Sequence, residues 1–114
     1  MKVSDEGIGQ WAATFACGQV SEGEMVKVSA SGEVSACSDG DSFCGQVLSV
    51  GRDGSACAVA LGGMVTAGYT GTAPELGWSI LVGDGSGGVK TATTGHSYLV
   101  VDVDSDAKTV TFAL

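Results

Sequence analysis

Residues 46–61 have the sequence QVLSVGRDGSACAVAL. Apolar side chains alternate with polar or small ones over Gln46–Val50 and again over Ala56–Leu61, which is the period-2 pattern of half-buried β-strands. The Asp53-Gly54 pair between them is typical of a hairpin turn, because glycine adopts the left-handed backbone that such turns require. This segment therefore predicts a β-hairpin.

Similar alternations fill the rest of the chain. They predict strands at 11–17, 24–30, 33–37, 43–50, 55–61, 63–69, 78–83, 88–93, 97–104 and 107–113. Turn sequences separate these segments, and the Asp residues in them are interpreted as turn formers: Ser31-Gly32, Asp39-Gly40, Asp84-Gly85 and Asp104-Ser105-Asp106. No window of 11 residues has apolar positions at helical spacing, and the region 73–77 allows one short turn at most. The sequence predicts an all-β fold with almost no helix.

A degenerate internal repeat divides the chain. The segment 23–28 matches 77–82, the segment 40–44 matches 95–99, and both halves end on Ala-Leu, at 60–61 and 113–114. We therefore predict one β domain over 1–114, with an N-terminal arm and first strand at 1–17. Two four-strand repeats at 20–61 and 73–114 follow, joined by a crossover at 62–72. Val26 is then equivalent to Ile80, and Val59 to Phe112. Two such units are expected to pack as a small barrel or β-tulip-like sandwich.

The charge balance argues against two classes of partner. The formal net charge is −8 with only five Lys and Arg residues, so phosphate backbones and anionic membranes are repelled. No apolar run approaches the ~18 residues of a membrane helix. The first residues carry acids where a signal peptide has an apolar run, which favours synthesis in a bacterial cytoplasm. We expect no nucleic-acid partner and no membrane.

The four cysteines, at 17, 37, 44 and 57, form no Cys-x-x-Cys pair, and the chain has a single His. This spacing indicates neither a zinc site nor a redox motif. We expect free, half-buried thiols that behave as small apolar side chains, although a disulfide stays open at the level of sequence. No metal and no cofactor are expected.

Three motifs suggest chemistry but have simpler interpretations. Residues 83–88 satisfy Gly-x-Gly-x-x-Gly, yet a strand rather than a helix follows, which favours a hairpin loop over a dinucleotide site. The alternate carboxylates of 102–106 resemble the start of a calcium loop, but Ala107 and Ala113 replace its glycine and bidentate glutamate. His96 lies beside Ser97, and a hydrolase that uses this histidine is the third and weakest hypothesis for the function. We predict no catalytic residue and no enzyme activity.

The aromatic residues on strands are expected to be mainly core, namely Trp11, Phe43, Trp78, Tyr98 and Phe112. Tyr69, among Gly68, Thr70 and Gly71, is the aromatic residue predicted to be exposed. Candidate partner-contact residues are Asp5, Glu6, Ile8, Trp11, Tyr69 and Trp78. A rival hypothesis has a barrel mouth lined by Trp78, Tyr69 and the 83–88 loop that holds a sugar or another small ligand.

Several segments together resemble a known family. They are Phe43-Cys44-Gly45-Gln46-Val47, the run 59–65 (VALGGMV), the run 76–81 (LGWSIL), Gly87-Gly88-Val89 and the final TVTFAL at 109–114. This arrangement resembles the small capsid decoration (cement) proteins of tailed phages, over about residues 18–114. The resemblance implies a β-barrel or β-tulip that binds the major capsid protein of an assembled head shell, often as a trimer, with no catalytic residues. We therefore expect a structural virion protein that forms a homo-oligomer.

Overall fold

The computed structural model describes residues 11–114. The described chain forms ten strands and no helix, so no helical membrane span is found within it. Their bounds are β1 Trp11–Cys17, β2 Met25–Ala30, β3 Glu33–Ala36, β4 Gly45–Val50, β5 Ala56–Gly62, β6 Met64–Gly68, β7 Gly77–Gly83, β8 Val89–Thr91, β9 Ser97–Asp104 and β10 Thr109–Ala113. Each lies within two residues of a predicted strand at both ends, so the all-β prediction is confirmed.

The strands form two five-stranded sheets with the same order. The first sheet, β1-β5-β4-β2-β3, closes into a barrel through a parallel β1–β3 pairing. The second sheet, β6-β10-β9-β7-β8, repeats this order five strands later in the chain. In the second sheet, an isolated parallel bridge between Tyr69 and Val89 occupies the position of the β1–β3 pairing that closes the barrel of the first sheet. The strands β1 and β6 thus add a fifth strand to each four-strand unit.

The two sheets also share a bulge at an equivalent place. In the first sheet the register slips just after the Val47–Val59 pair, leaving Leu48 without a partner on β5. In the second sheet it slips after the Val100–Phe112 pair in the same way. Val59 and Phe112 therefore occupy equivalent positions, as the repeat requires.

The predicted equivalence of Val26 with Ile80 does not hold in the strand pairing. On the β4 side, Val26 pairs with Gly45, and the β7 residue in the equivalent pair of the second sheet is Ser79. On the β3 side, Val26 pairs with Ala36, and the β7 residue in the equivalent pair of the second sheet is Leu81. Ile80 lies between the two, so these strands pair in different registers on their two sides.

The core has two parts. One fills the barrel and contains Val26, Val47 and Val59 among others. The other joins both sheets and includes Phe43, from the loop before β4, with Tyr98 of β9 and Phe112 of β10. Ring centroids in this aromatic cluster are 4.9 Å (43–98), 5.8 Å (43–112) and 5.4 Å (98–112) apart. Burial of these three rings agrees with the prediction.

The prediction that Trp11 and Trp78 belong to the core is wrong. Their side chains are 59% and 74% exposed. Both lie on strands, but on the outer side of their sheets, and alternation along a strand alone does not say which of its two faces is buried. Their exposure leaves them available as contact residues.

The aspartates at the turns act as turn formers, as expected. The Asp84 Oδ1 accepts hydrogen bonds from the N–H groups of Ser86 (2.7 Å) and Gly88 (3.0 Å), and Gly85 has a φ of 82°. Such a loop satisfies its own backbone and allows the sharp reversal from β7 to β8. The glycine motif at 83–88 is therefore a hairpin loop in this structure.

All four cysteines are free thiols, in agreement with the sequence prediction. Three are buried and Cys44 is partly buried. Burial raises the pKa of Cys37 and of Cys57 to about 11, and it also raises the pKa of Cys44. Since the thiolate is the reactive form, these thiols are protected in the folded protein.

We expect Cys37 and Cys57 to react with a thiol reagent at pH 8 about a hundredfold more slowly in the folded than in the unfolded chain. The reason is that a rise of two pKa units lowers the thiolate fraction by about this factor. Timed labelling with mass spectrometry, with and without denaturant, measures both rates. Labelling of all four thiols at the unfolded rate would contradict their burial.

Candidate functional site

An apolar row crosses the outer side of the second sheet. Trp78 pairs with Leu99 on β9, and Leu99 pairs with Ala113 on β10. Because directly opposed residues point to the same face of a sheet, these three side chains lie side by side. We call these three side chains the Trp78 face. Trp78 is 74% and Leu99 36% exposed.

The backbone under the Trp78 face is well ordered by hydrogen bonds. Four consecutive residues of β7, from Gly77 to Ile80, pair with β9, and the Ser79 hydroxyl donates to the Glu75 carbonyl at 2.9 Å. A cavity of about 290 Å³ lies between Trp78, His96 and Leu114. A fixed, exposed apolar surface with a shallow cavity is typical of a protein association site, because burial there requires little ordering.

Trp11 forms a second exposed aromatic site, at the start of β1 in the first sheet. Its indole packs over Gly62, where an added Cβ would come within 2.0 Å of Nε1. Glycine at 62 is therefore needed for this position of the ring. Trp11 is not among the residues that line the cavity of the Trp78 face. The candidate contacts Asp5, Glu6 and Ile8, which precede it, lie outside the described residues.

The prediction that Tyr69 is exposed is wrong. Its side chain is only 4% exposed, and its N–H donates to the Lys108 carbonyl at 3.0 Å. The Lys108 Nζ lies 5.7 Å from the ring centroid. The flanking glycines suggested an open loop, but the bridge to Val89 draws Tyr69 into the second sheet. It is a core residue rather than a free contact.

Only part of the predicted ligand site is assembled. Tyr69 and the loop residues 84 and 86–88 do converge, on a cavity of about 400 Å³ that Glu22 and Glu24 also line. Trp78 is not among its lining residues and contributes instead to the cavity of the Trp78 face. The cavity thus has an acidic wall but lacks the exposed indole that the sugar-site hypothesis placed in it.

His96 is exposed and contacts an aromatic ring. Its centroid is 4.6 Å from that of Tyr98, with the rings edge to face. Among residues 11–114, no group of three or more His, Cys, Asp or Glu side chains could hold a metal ion.

Ion pairs involve two of the lysines. The Lys27 Nζ lies 2.6 Å from the Asp41 carboxylate, which also accepts the Ser38 N–H at 2.9 Å. These hydrogen bonds lower the pKa of Asp41, and the bond to Asp41 raises that of Lys27. Stability from the lowered Asp41 pKa is present at neutral pH and is lost as the pH falls below 3.8. Lys90 pairs with Asp39.

No protein-family model matches this chain, and no curated protein matches it in sequence. Function is therefore inferred from the surfaces themselves. The two exposed tryptophan sites are the features of residues 11–114 that most directly indicate association with another protein.

Proposed function

We propose that this chain is a non-enzymatic structural protein that decorates an assembled phage head shell and stabilises it by binding the major capsid protein. The observation that carries the proposal is the exposure of Trp11 and Trp78 on two hydrogen-bonded sheets. Tryptophan is enriched at the centres of protein interfaces and costs free energy when left in water. The resemblance of residues 18–114 to phage decoration proteins supplies the kind of partner.

The size of the apolar surface fits attachment to a repetitive partner. Trp11 is 59% exposed, so burying the rest of a side chain of about 200 Å² is worth roughly 3 kcal/mol before the costs of association are subtracted. A single contact of this kind is weak. A shell presents many identical sites, so an oligomer that binds several of them gains affinity from multivalency. This favours a homo-oligomer, and the family resemblance suggests a trimer.

The free thiols support synthesis in a reducing compartment, which we take to be the bacterial cytoplasm. From there the protein would join the head shell and remain in the virion. We assign the shell contact to the end of the first sheet marked by Trp11, together with the preceding residues Asp5, Glu6 and Ile8.

The test is co-sedimentation of the full chain with empty shells built from the capsid gene of the genome that encodes it. We expect saturable binding, and a dissociation constant raised at least about tenfold by Trp11→Ala, since loss of ~1.4 kcal/mol has that effect. Leu48→Ala, an exposed apolar change elsewhere on the first sheet, is the matched control. Absence of binding by the unchanged chain would reject the proposal, and equal binding by Trp11→Ala would remove Trp11 from the contact.

A second candidate function is a small-ligand or carbohydrate-binding module. It is favoured by the cavity that Tyr69 shares with Glu24 and the 84–88 loop. A sugar held there would raise the melting temperature with its concentration, because only the folded state binds it. Melting curves with a panel of mono- and oligosaccharides decide between this function and shell decoration.

A further inference from the structure

The repeat relates the backbone of Trp78 to a position in the first sheet. Counting from the matched residues Val59 and Phe112, three directly paired residues cross each sheet. They are Met25, Gln46 and Ala60 in the first sheet, and Trp78, Leu99 and Ala113 in the second. Met25 of β2 and Trp78 of β7 are therefore equivalent, and the hydrogen bonds of their backbones can be compared.

The N–H and C=O groups of Trp78 point away from β9. Along an antiparallel strand, successive residues direct these groups alternately toward one neighbouring strand and the other. The Leu81 N–H donates to the His96 carbonyl at 3.3 Å, on the β9 side. The Ile80 carbonyl accepts the Ala92 N–H at 3.1 Å, on the opposite side, just after β8. Because Trp78 is two residues before Ile80, its backbone groups point to this second side.

The edge of β7 is open on that side. The strand β8 ends at Thr91, and its pairing with β7 extends only to Leu81. Within residues 11–114, neither the N–H nor the C=O of Trp78 has a backbone partner there. A groove of about 360 Å³ lies at this place, and its lining includes Thr72, Glu75, Trp78 and Ala92. An unpaired stretch of backbone thus lies beside an exposed indole.

The equivalent position in the first sheet binds backbone from elsewhere in the chain. The Met25 N–H donates to the Gly87 carbonyl at 3.0 Å, and the Met25 carbonyl accepts the Cys37 N–H at 3.4 Å. Gly87 belongs to the β7–β8 loop, so a segment of the other half of the chain pairs with β2 here. Trp78 offers the same two groups at the same place in the second sheet, which favours an extended peptide as its partner.

Charge favours a basic segment over a second copy of this chain. Glu75 is exposed and lines the groove, and the whole chain carries a charge of −8, so two copies repel each other at this edge. The Ser79 hydroxyl, on the face of β7 opposite Trp78, donates to the Glu75 carbonyl at 2.9 Å. A strand beside β7 therefore has the apolar Trp78 face on one side and Glu75 on the other.

We propose that the open edge of β7 at Trp78 binds an extended segment of another protein in which apolar and basic side chains alternate. The segment adds a strand beside β7, and its backbone pairs with the N–H and C=O of Trp78. Its apolar side chains cover the Trp78 face, and its basic side chains approach Glu75. In strand addition of this kind, main-chain bonds supply affinity and alternate side chains supply specificity. The inference goes beyond shell decoration, which we assign to the Trp11 end of the first sheet, and does not depend on it.

The test titrates the isotope-labelled full chain with the end-blocked peptide Lys-Val-Lys-Val-Lys-Val and follows it by NMR. We expect saturable shifts of the Trp78 amide and indole signals, an unchanged Trp11 indole signal, and slower hydrogen exchange of the Trp78 amide. The peptide Glu-Val-Glu-Val-Glu-Val should bind about tenfold more weakly or worse, because its charge is repelled. A Lys-Val peptide methylated on every backbone nitrogen keeps its side chains but cannot donate hydrogen bonds, so its binding should be lost.

Variants of the full chain separate the contributions of ring, backbone and charge. Trp78→Ala removes the indole and keeps the N–H, and we expect it to raise the dissociation constant of the Lys-Val peptide about tenfold. Trp78→Pro also removes the N–H and should raise the constant about fivefold further. Glu75→Gln should raise it about two- to fivefold, as for an exposed ion pair. Leu48→Ala, an exposed apolar change on the first sheet, is the matched control and should leave it unchanged.

Other results would overturn the proposal. Equal binding of the methylated and unmethylated peptides would exclude strand addition, and no saturable shift up to the solubility limit of the Lys-Val peptide would reject the site. Self-association of the unchanged chain that Trp78→Ala abolishes would make a second copy the occupant of the edge. Circular dichroism checks the folding of each variant. If Trp78→Pro fails to fold, the methylated peptide still tests the backbone bonds, because it leaves the protein unaltered.

Discussion

Replacing Phe112 by alanine is expected to lower the melting temperature by about 12–20 °C. Phe112 is completely buried on β10, between Val65 of β6 and Val100 of β9. Its ring also packs against Tyr98 and against Phe43 of the loop before β4, and it shares a core cluster with Met25 and Ala60 of the first sheet. Truncating a buried phenylalanine costs about 3–5 kcal/mol, and for a chain of this size each kcal/mol is worth about 4 °C.

Thermal and denaturant unfolding followed by circular dichroism measure this effect. Leu76→Ala is the matched control, because that side chain is 68% exposed and its loss should change stability by less than about 0.5 kcal/mol. Similar losses of stability in Phe112→Ala and Leu76→Ala would show that the aromatic cluster does not join the sheets.

The second large effect is expected for Gly45→Ala at the start of β4. An added Cβ there would lie 2.0 Å from the Ala60 carbonyl oxygen and 2.9 Å from a methyl group of Val59. The carbonyl belongs to the backbone of β5, which pairs with both β1 and β4 and so has little freedom to move. We expect a loss of about 3 kcal/mol, at the upper end for an overpacked core.

Gly18→Ala controls for the general effect of replacing glycine. An added Cβ at Gly18 meets nothing within 4 Å, and the change should leave stability unaltered or slightly higher. Unfolding in urea gives both values. A loss below about 1 kcal/mol for Gly45→Ala would mean that β4 and β5 do not approach each other as closely as described.

The strand positions could be predicted from the sequence because alternation and turn chemistry are local properties. Asp53-Gly54 and Asp84-Gly85 identify turns in any protein, and the structure has turns at both. The matching of Val59 with Phe112 could also be predicted, since both precede an Ala-Leu ending in the two halves. These features need no knowledge of which strands become neighbours.

The exposed and buried aromatic residues could not be predicted in the same way. Trp78 and Tyr98 both lie on strands, but one faces outward and the other the shared core, a difference that depends on how the second sheet packs against the first. Tyr69 lies among glycines that suggest a loop, and only its pairing with Val89 explains its burial. The close approach at Gly45 likewise arises between residues 15 positions apart.

The central claim is that this protein is a structural component that binds a head shell. Electron cryo-microscopy of empty shells from the encoding genome's capsid gene, with and without the full chain, tests it directly. We predict added density at fixed points of the shell lattice, large enough for the two-sheet fold, with the Trp11 end of the first sheet against the capsid subunits. Maps that are identical with and without the protein at saturating concentration would contradict it.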